Sequence, residues 1–157
     1  MDLTTGATRV YATHGGSVCR PYFGNSAMSI DVDGKVYAAS SCGVVVYAPG
    51  VPARLINSHT GLISAVAMDR YQNLYGLDSY GNLLQFDKAT GAELRRVTIA
   101  YAPSVTWTLA FDSSDNVLVN YWGEQRLYSS ADGRLLTTWS ASTYYPGASG
   151  YFWYVTF

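Results

Sequence analysis

The chain has 157 residues, 48% of them apolar and 13% charged, and its ten basic and eleven acidic side chains leave a net charge of −1. That length predicts one domain, and charge this sparse predicts a surface of Ser, Thr, Asn, Tyr and Gly. The charge balance and the lack of a basic run exclude a phosphate-tracking surface, and no stretch approaches the ~20 apolar residues of a membrane helix, so neither nucleic acid nor membrane is an expected partner.

The first ten residues lack the apolar centre of a signal peptide. Asp2-Leu3-Thr4-Thr5-Gly6-Ala7 matches a pattern that returns at 87–92, and 8–12 behind it reads as an outer strand. Cys19 and Cys42 are the only cysteines. They can form one disulfide, or Cys42, in the small-residue run Ser40-Ser41-Cys42-Gly43, can be a buried thiol. Low charge and a Ser/Tyr/Gly-rich surface favour the disulfide and an extracellular or cell-surface location.

From Ser29 onward the chain says nearly the same thing three times, over 29–55, 64–94 and 107–136, with Asp31, Asp69 and Asp112 in register 38 and 43 residues apart. Steps of that length belong to four-stranded propeller blades. The second repeat is the clearest. It runs as strand 64–68, polar turn 69–73, strand 74–77, turn 79–82, strand 83–86, turn 87–91 and a more polar outer strand 93–99. The first repeat turns at Asp33-Gly34, Cys42-Gly43 and Pro49-Gly50, and the third at 113–116, Trp122-Gly123-Glu124 and Asp132-Gly133. The end, Tyr151 to Phe157, matches the inner strand 106–111.

The predicted fold is therefore all-β, a β-propeller of four-stranded antiparallel blades over 26–60, 62–100 and 104–141, with partial blades at both ends contributing the outer strand 8–12 and the inner strand 151–157. Three blades do not close a ring, since closed propellers use about four to eight. The unfinished edges predict completion by a second copy or within a larger assembly.

The run A-M-D…N-L-Y-G-L-D…G-N-L-L-Q-F-D…T-G over 67–91 resembles NHL-like and SMP-30/gluconolactonase-like repeats, a likeness of repeats covering about three quarters of the chain. That resemblance implies a six- or seven-bladed propeller. The metal-dependent lactonases among such proteins carry a Glu, two Asn and an Asp around a central channel. Here Asp78 and Asn120 are the matches and no Glu is placed to join them, so that activity is not carried over. No WD dipeptide closes a repeat.

Asp31, Asp69 and Asp112 read as turn residues rather than metal ligands, because an Asp that opens a turn bonds its own backbone two residues on. Asp87 to Gly91 and Asp132-Gly133 lack the D-x-D-x-D spacing of a calcium loop. His14 and His59 have no neighbouring nucleophile, and Ser149 lacks the spacing of a nucleophile elbow. No catalytic residue, metal ligand or cofactor is assigned. Trp107, Trp153, Tyr37, Tyr75 and Phe111 are expected to pack between blades.

Strand direction alternates, so the turns between second and third strands and the links between blades emerge on one face. On it the sequence places Tyr80, Tyr121 and Trp122 in turns, and Tyr101, Tyr144 and Tyr145 in or beside links. Tyr and Trp carry large, rigid amphipathic area suited to holding sugars or proteins. The leading expectation is a non-enzymatic recognition or assembly module that binds a protein or glycan through this aromatic face. Two alternatives stand beside it: a propeller lactonase or lyase whose channel site is completed by another chain or further blades, and a structural subunit assembling through unpaired end strands.

Overall fold

A computed structural model describes residues 19, 28–58, 62–99, 108–121 and 124–140, the side chains of 57, 58, 121 and 140 excepted. These residues hold no helix. They form three four-stranded antiparallel sheets, each ordered as its strands follow in the chain. Blade 1 is β1 (Met28–Ile30), β2 (Val36–Ser40), β3 (Gly43–Tyr47) and β4 (Arg54–Ser58). Blade 2 is β5 (Ile63–Met68), β6 (Leu74–Asp78), β7 (Asn82–Phe86) and β8 (Glu93–Thr98). Blade 3 is β9 (Thr108–Phe111), β10 (Val117–Tyr121), β11 (Glu124–Tyr128) and β12 (Leu135–Ser140). The arrangement is propeller-like, and the three sheets do not close a ring. The predicted strands 8–12 and 151–157 lie outside the described residues.

The sequence alternates so that each blade buries both faces. Tyr37, Ala39, Val44, Val46 and Ile56 of blade 1 meet Ile63, Val66, Leu74, Leu84 and Phe86 of blade 2, with Met68 against them. Ala65, Ala67, Tyr75, Leu77 and Leu83 of blade 2 then meet Leu109, Val117, Val119 and Tyr128 of blade 3. The Tyr75 and Phe111 rings lie 4.7 Å apart across that second seam. Each fully buried aliphatic or aromatic side chain contributes roughly 1.5–3 kcal/mol by leaving water. Blade 2 is thus apolar on both sides, and its outer strand β8 is the exposed one.

Gly76 marks how close these seams are. It pairs with Leu84 in the middle of the blade, and a Cβ there would stand 2.9 Å from the Phe86 ring and 3.2 Å from Ile63. Trp107 and Trp153, also expected between blades, lie outside the described residues.

One expectation is corrected. Tyr121 is not a turn residue: it closes β10, paired with Glu124 at the start of β11. Ladder pairing carries the strand one residue further than its composition indicates.

Candidate functional site

The two ends of the blades are built differently. At one end lie the turns between first and second strands, each opened by an aspartate. Asp69 Oδ1 accepts the Tyr71 and Asn73 amides at 2.9 and 2.8 Å, and its Oδ2 accepts the Asn73 side-chain amide at 2.7 Å. Asp112 repeats this with Ser114 and Asn116, each bond 2.8 or 2.9 Å long. In blade 1 the fifth residue of the turn is Lys35, and the Tyr37 hydroxyl donates to Asp31 Oδ2 at 3.1 Å in place of the asparagine. Asp31 Oδ1 still takes the Asp33 and Lys35 amides.

The hydrogen bonds to Asp31 and Asp112 show in the acidity of those two carboxyls. Burial pushes the Asp31 carboxyl up, but the Lys35 amide, the Tyr37 hydroxyl, Lys88 and the Asp33 amide outweigh it, leaving it below the ordinary value. Burial likewise pushes Asp112 up, and the Asn116 side chain and amide, the Ser114 amide and Arg70 bring it below the ordinary value. Burial, then the bonded Asp31, holds the Tyr37 hydroxyl well above the usual tyrosine range.

Side chains from the same turns clasp one blade to the next. Gln72 accepts the Val32 amide of blade 1 at 3.1 Å. Arg70 donates to the Ser113 carbonyl at 2.8 Å and pairs with Asp115 at 3.0 Å, both in blade 3. Lys88, from the β7–β8 turn at the same end, reaches Asp31 at 3.7 Å. Among the described residues no group of three or more His, Cys, Asp and Glu converges in a way that could hold a metal. At 87–91, where a calcium loop was considered, Asp87 accepts the Ala89 and Thr90 amides at 2.9 and 2.7 Å.

The opposite end carries the turns between second and third strands. Here Asp78 reproduces the same clamp: Oδ1 accepts the Tyr80 and Asn82 amides at 2.9 and 2.8 Å, and Oδ2 accepts the Asn82 side-chain amide at 2.9 Å. The links meet this turn, as strand direction requires. The Ser79 amide donates to the Leu62 carbonyl before β5, and the Ile99 amide after β8 donates to the Gly81 carbonyl, both at 2.9 Å. Tyr80 therefore projects from a turn held by five hydrogen bonds, and 68% of its surface is exposed.

Of the other sequence candidates, Tyr121 lies at the same end, as the last residue of β10. Tyr101, Trp122, Tyr144 and Tyr145 fall outside the described residues, as do His14, His59 and Ser149. Blade 1 carries no aromatic at its corresponding turn. Ser40 Oγ donates to the Gly43 carbonyl there at 2.8 Å, and Cys42 is bonded to Cys19 with 6.1 Å between their Cα atoms. Asp78, one match to a lactonase ligand, uses its carboxylate in the turn, and Asn120, the other, is buried on β10.

The clamp at Asp78 and the exposure of Tyr71 at the first end, 65%, were not drawn from the sequence. The D-x-x-x-N spacing shared by 69–73, 78–82 and 112–116 is the signal for the former.

No protein-family model matches the chain, and no curated protein is similar to it in sequence. Solved structures are similar in fold. The computationally designed Ika4 protein superposes with a TM-score of 0.57 at 17% identity, over 83% of this chain and 79% of that one. The glutaminyl cyclase of Myxococcus xanthus gives 0.57 at 13% identity over 74% and 53%, and the WD40 propeller domain of Doa1 gives 0.53 at 15% over 69% and 37%. The designed Ika8 protein gives 0.52 at 19% identity, and this chain spans only 35% of its length. Identity this low speaks to fold alone, and the fold is all-β and propeller-like.

Proposed function

We propose that this chain is a non-enzymatic recognition module that binds a protein or glycan ligand of low charge through the end of the blades bearing Tyr80. The observation that carries the reading is a large exposed aromatic ring on a turn fixed by the Asp78 carboxylate and two link hydrogen bonds. Pre-organised aromatic surface gives binding energy without the cost of ordering the group that makes it. The bonded Cys19 and Cys42 are compatible with an oxidising, extracellular setting for such a module. Within the propellers, the pattern over 67–91 supports placing the repeats with the NHL-like and SMP-30-like kinds.

The test is binding of the fluorescently labelled chain to an array of neutral oligosaccharides and to a displayed peptide library, repeated with Tyr80→Ala. Retained far-UV circular dichroism establishes that the variant folds. We expect a binder from one of the two arms whose affinity falls about tenfold or more in the variant, the equivalent of ~1.4 kcal/mol. Binding that ignores the substitution, or no binder in either arm, overturns the reading.

A further inference from the structure

β1 is the shortest strand among the described residues, three residues long where β5, at the same place in blade 2, has six. Met28 pairs with Ala38 and Ile30 with Val36, as Val66 pairs with Gly76 and Met68 with Leu74. Met28 and Ile30 are therefore the register equivalents of Val66 and Met68. Val66 is 2% exposed and Met68 packs on the seam with blade 1, whereas Met28 and Ile30 are 61% and 62% exposed. Toward β5, which lies beside it, strand alternation turns Ser29 alone, and Ser29 is half-buried. Burial this slight does little to offset the conformational freedom lost in ordering a strand.

The two ends of β1 are held differently. Beyond Ile30, the Asp31 amide donates to the Lys35 carbonyl at 3.0 Å, the Asp31 carboxylate takes the Asp33 and Lys35 amides, and Gln72 of blade 2 takes the Val32 amide. Ahead of Met28, the tie among the described residues is the bond between Cys19 and Cys42. Cys42 sits in the β2–β3 turn, which is set without the disulfide. Ser40 pairs there with Gly43, and its hydroxyl donates to the Gly43 carbonyl at 2.8 Å and accepts the Cys42 amide at 3.3 Å. The bond thus joins cysteines 23 residues apart and closes β1 and β2 into one loop, which restricts the chain ahead of Met28.

We infer that Cys19–Cys42 is a redox latch on β1, opened by a dithiol reductant. Both cysteines are partly exposed, so a thiolate can reach them. The thiolate attacks one sulfur and forms a mixed disulfide as the protein's sulfur–sulfur bond breaks, and the second thiol of the reductant then displaces that cysteine. The reductant leaves as its own disulfide, and Cys19 and Cys42 keep the two electrons and two protons as thiols. With the loop open, β1 peels from β2 about the Asp31 turn, while β2 to β4 and the seams between blades persist on their own pairing and burial. Peeling bares the edge of β2, a row of backbone groups open to another strand. The inference is independent of the ligand reading, because it concerns β1 and not the turn that carries Tyr80.

Residue-resolved amide exchange by NMR tests it, on the isotope-labelled chain before and after treatment with dithiothreitol, and on the double variant Cys19→Ser with Cys42→Ser. Dithiothreitol is expected to release both thiols from the folded chain and to speed exchange over 28–30 about tenfold or more. Exchange over 43–47 and 74–78, and the β-sheet circular dichroism, are expected to stay as they were, and oxidised dithiothreitol is expected to restore slow exchange over 28–30. The double variant is expected to match the reduced chain; if it fails to fold, the reduced native chain decides. Cysteines that resist reduction until the chain is denatured, or exchange over 28–30 that ignores the open bond, overturn the inference. So does loss of the whole β-sheet signal on reduction, which would make the bond a staple of the entire fold.

Discussion

At the scale of single residues, this molecule repeats one device. An aspartate ends a strand or directly follows it, its carboxylate takes the amides two and four residues on, and the residue three positions after it adopts a left-handed backbone. That position is Gly34, Gly81, Gln72 or Asp115, with φ of 78°, 82°, 66° and 60°. A non-glycine residue pays roughly 1 kcal/mol or more to be there. At both such positions the side chain reaches a neighbouring blade, Gln72 toward Val32 and Asp115 toward Arg70, and a glycine would have nothing to reach with. The turns themselves were legible in the sequence because Asp, Asn and Gly announce them. The crossings were not, since an exposed Gln or Arg gives no sign of which blade it touches.

The lowered carboxyl pKa of Asp31 and Asp112 fixes a pH dependence. A carboxyl whose folded value lies below its unfolded value, about 3.9, stabilises the fold above that value. The contribution is lost as pH falls through the folded value. Thermal unfolding followed by circular dichroism is thus expected to show a falling midpoint below about pH 4. Asp112→Asn, which removes the titrating group, is expected to flatten that fall, and an unchanged slope would contradict the assignment.

At the scale of elements, each blade is a self-contained grammar of four strands, and the order of strands was readable because apolar runs alternate with polar turns. Strand ends were less readable. Asp78 and Tyr121 look like turn residues by composition and are the last residues of strands, because ladder pairing rather than propensity sets the limit. The contacts between blades also depend on distances that composition does not carry. Arg95 of β8 donates to the Ala131 carbonyl in the turn before β12, and Gly133 in that turn lies directly against β8. A Cβ on Gly133 would collide with the Thr98 carbonyl and come within 2.9 Å of Val97.

Gly133 and Gly50 share a left-handed backbone, with φ of 75° and 72°, but a Cβ on Gly50 would meet nothing within 4 Å. Gly50→Ala should therefore cost only the backbone strain, about 1 kcal/mol. Gly133→Ala adds overpacking of ~1–3 kcal/mol and should lower the melting midpoint by roughly 5–15 °C. Equal costs for the two substitutions would mean that blade 3 does not seat against β8 in this way.

At the scale of the whole molecule, the blades are interchangeable in register yet not in surroundings. Blade 2 has a neighbour on either face, and Val66 and Met68 are covered. Blade 1 presents Met28 and Ile30 to solvent at the same positions. The repeat made the propeller-like fold legible, because three copies of one pattern leave few other architectures. The proposed recognition face was legible only in part. Tyr80 stands where strand direction placed it, whereas its rigidity comes from Asp78, Leu62 and Ile99 acting together, a set scattered over nearly forty residues.

Hydrogen–deuterium exchange of the native chain tests most directly whether the sheets stack face on face as blades. Peptides covering β6 and β7, enclosed between blades 1 and 3, are expected to exchange far more slowly than those covering the exposed outer strand β8. Equal exchange over 74–86 and 93–98 would contradict the account.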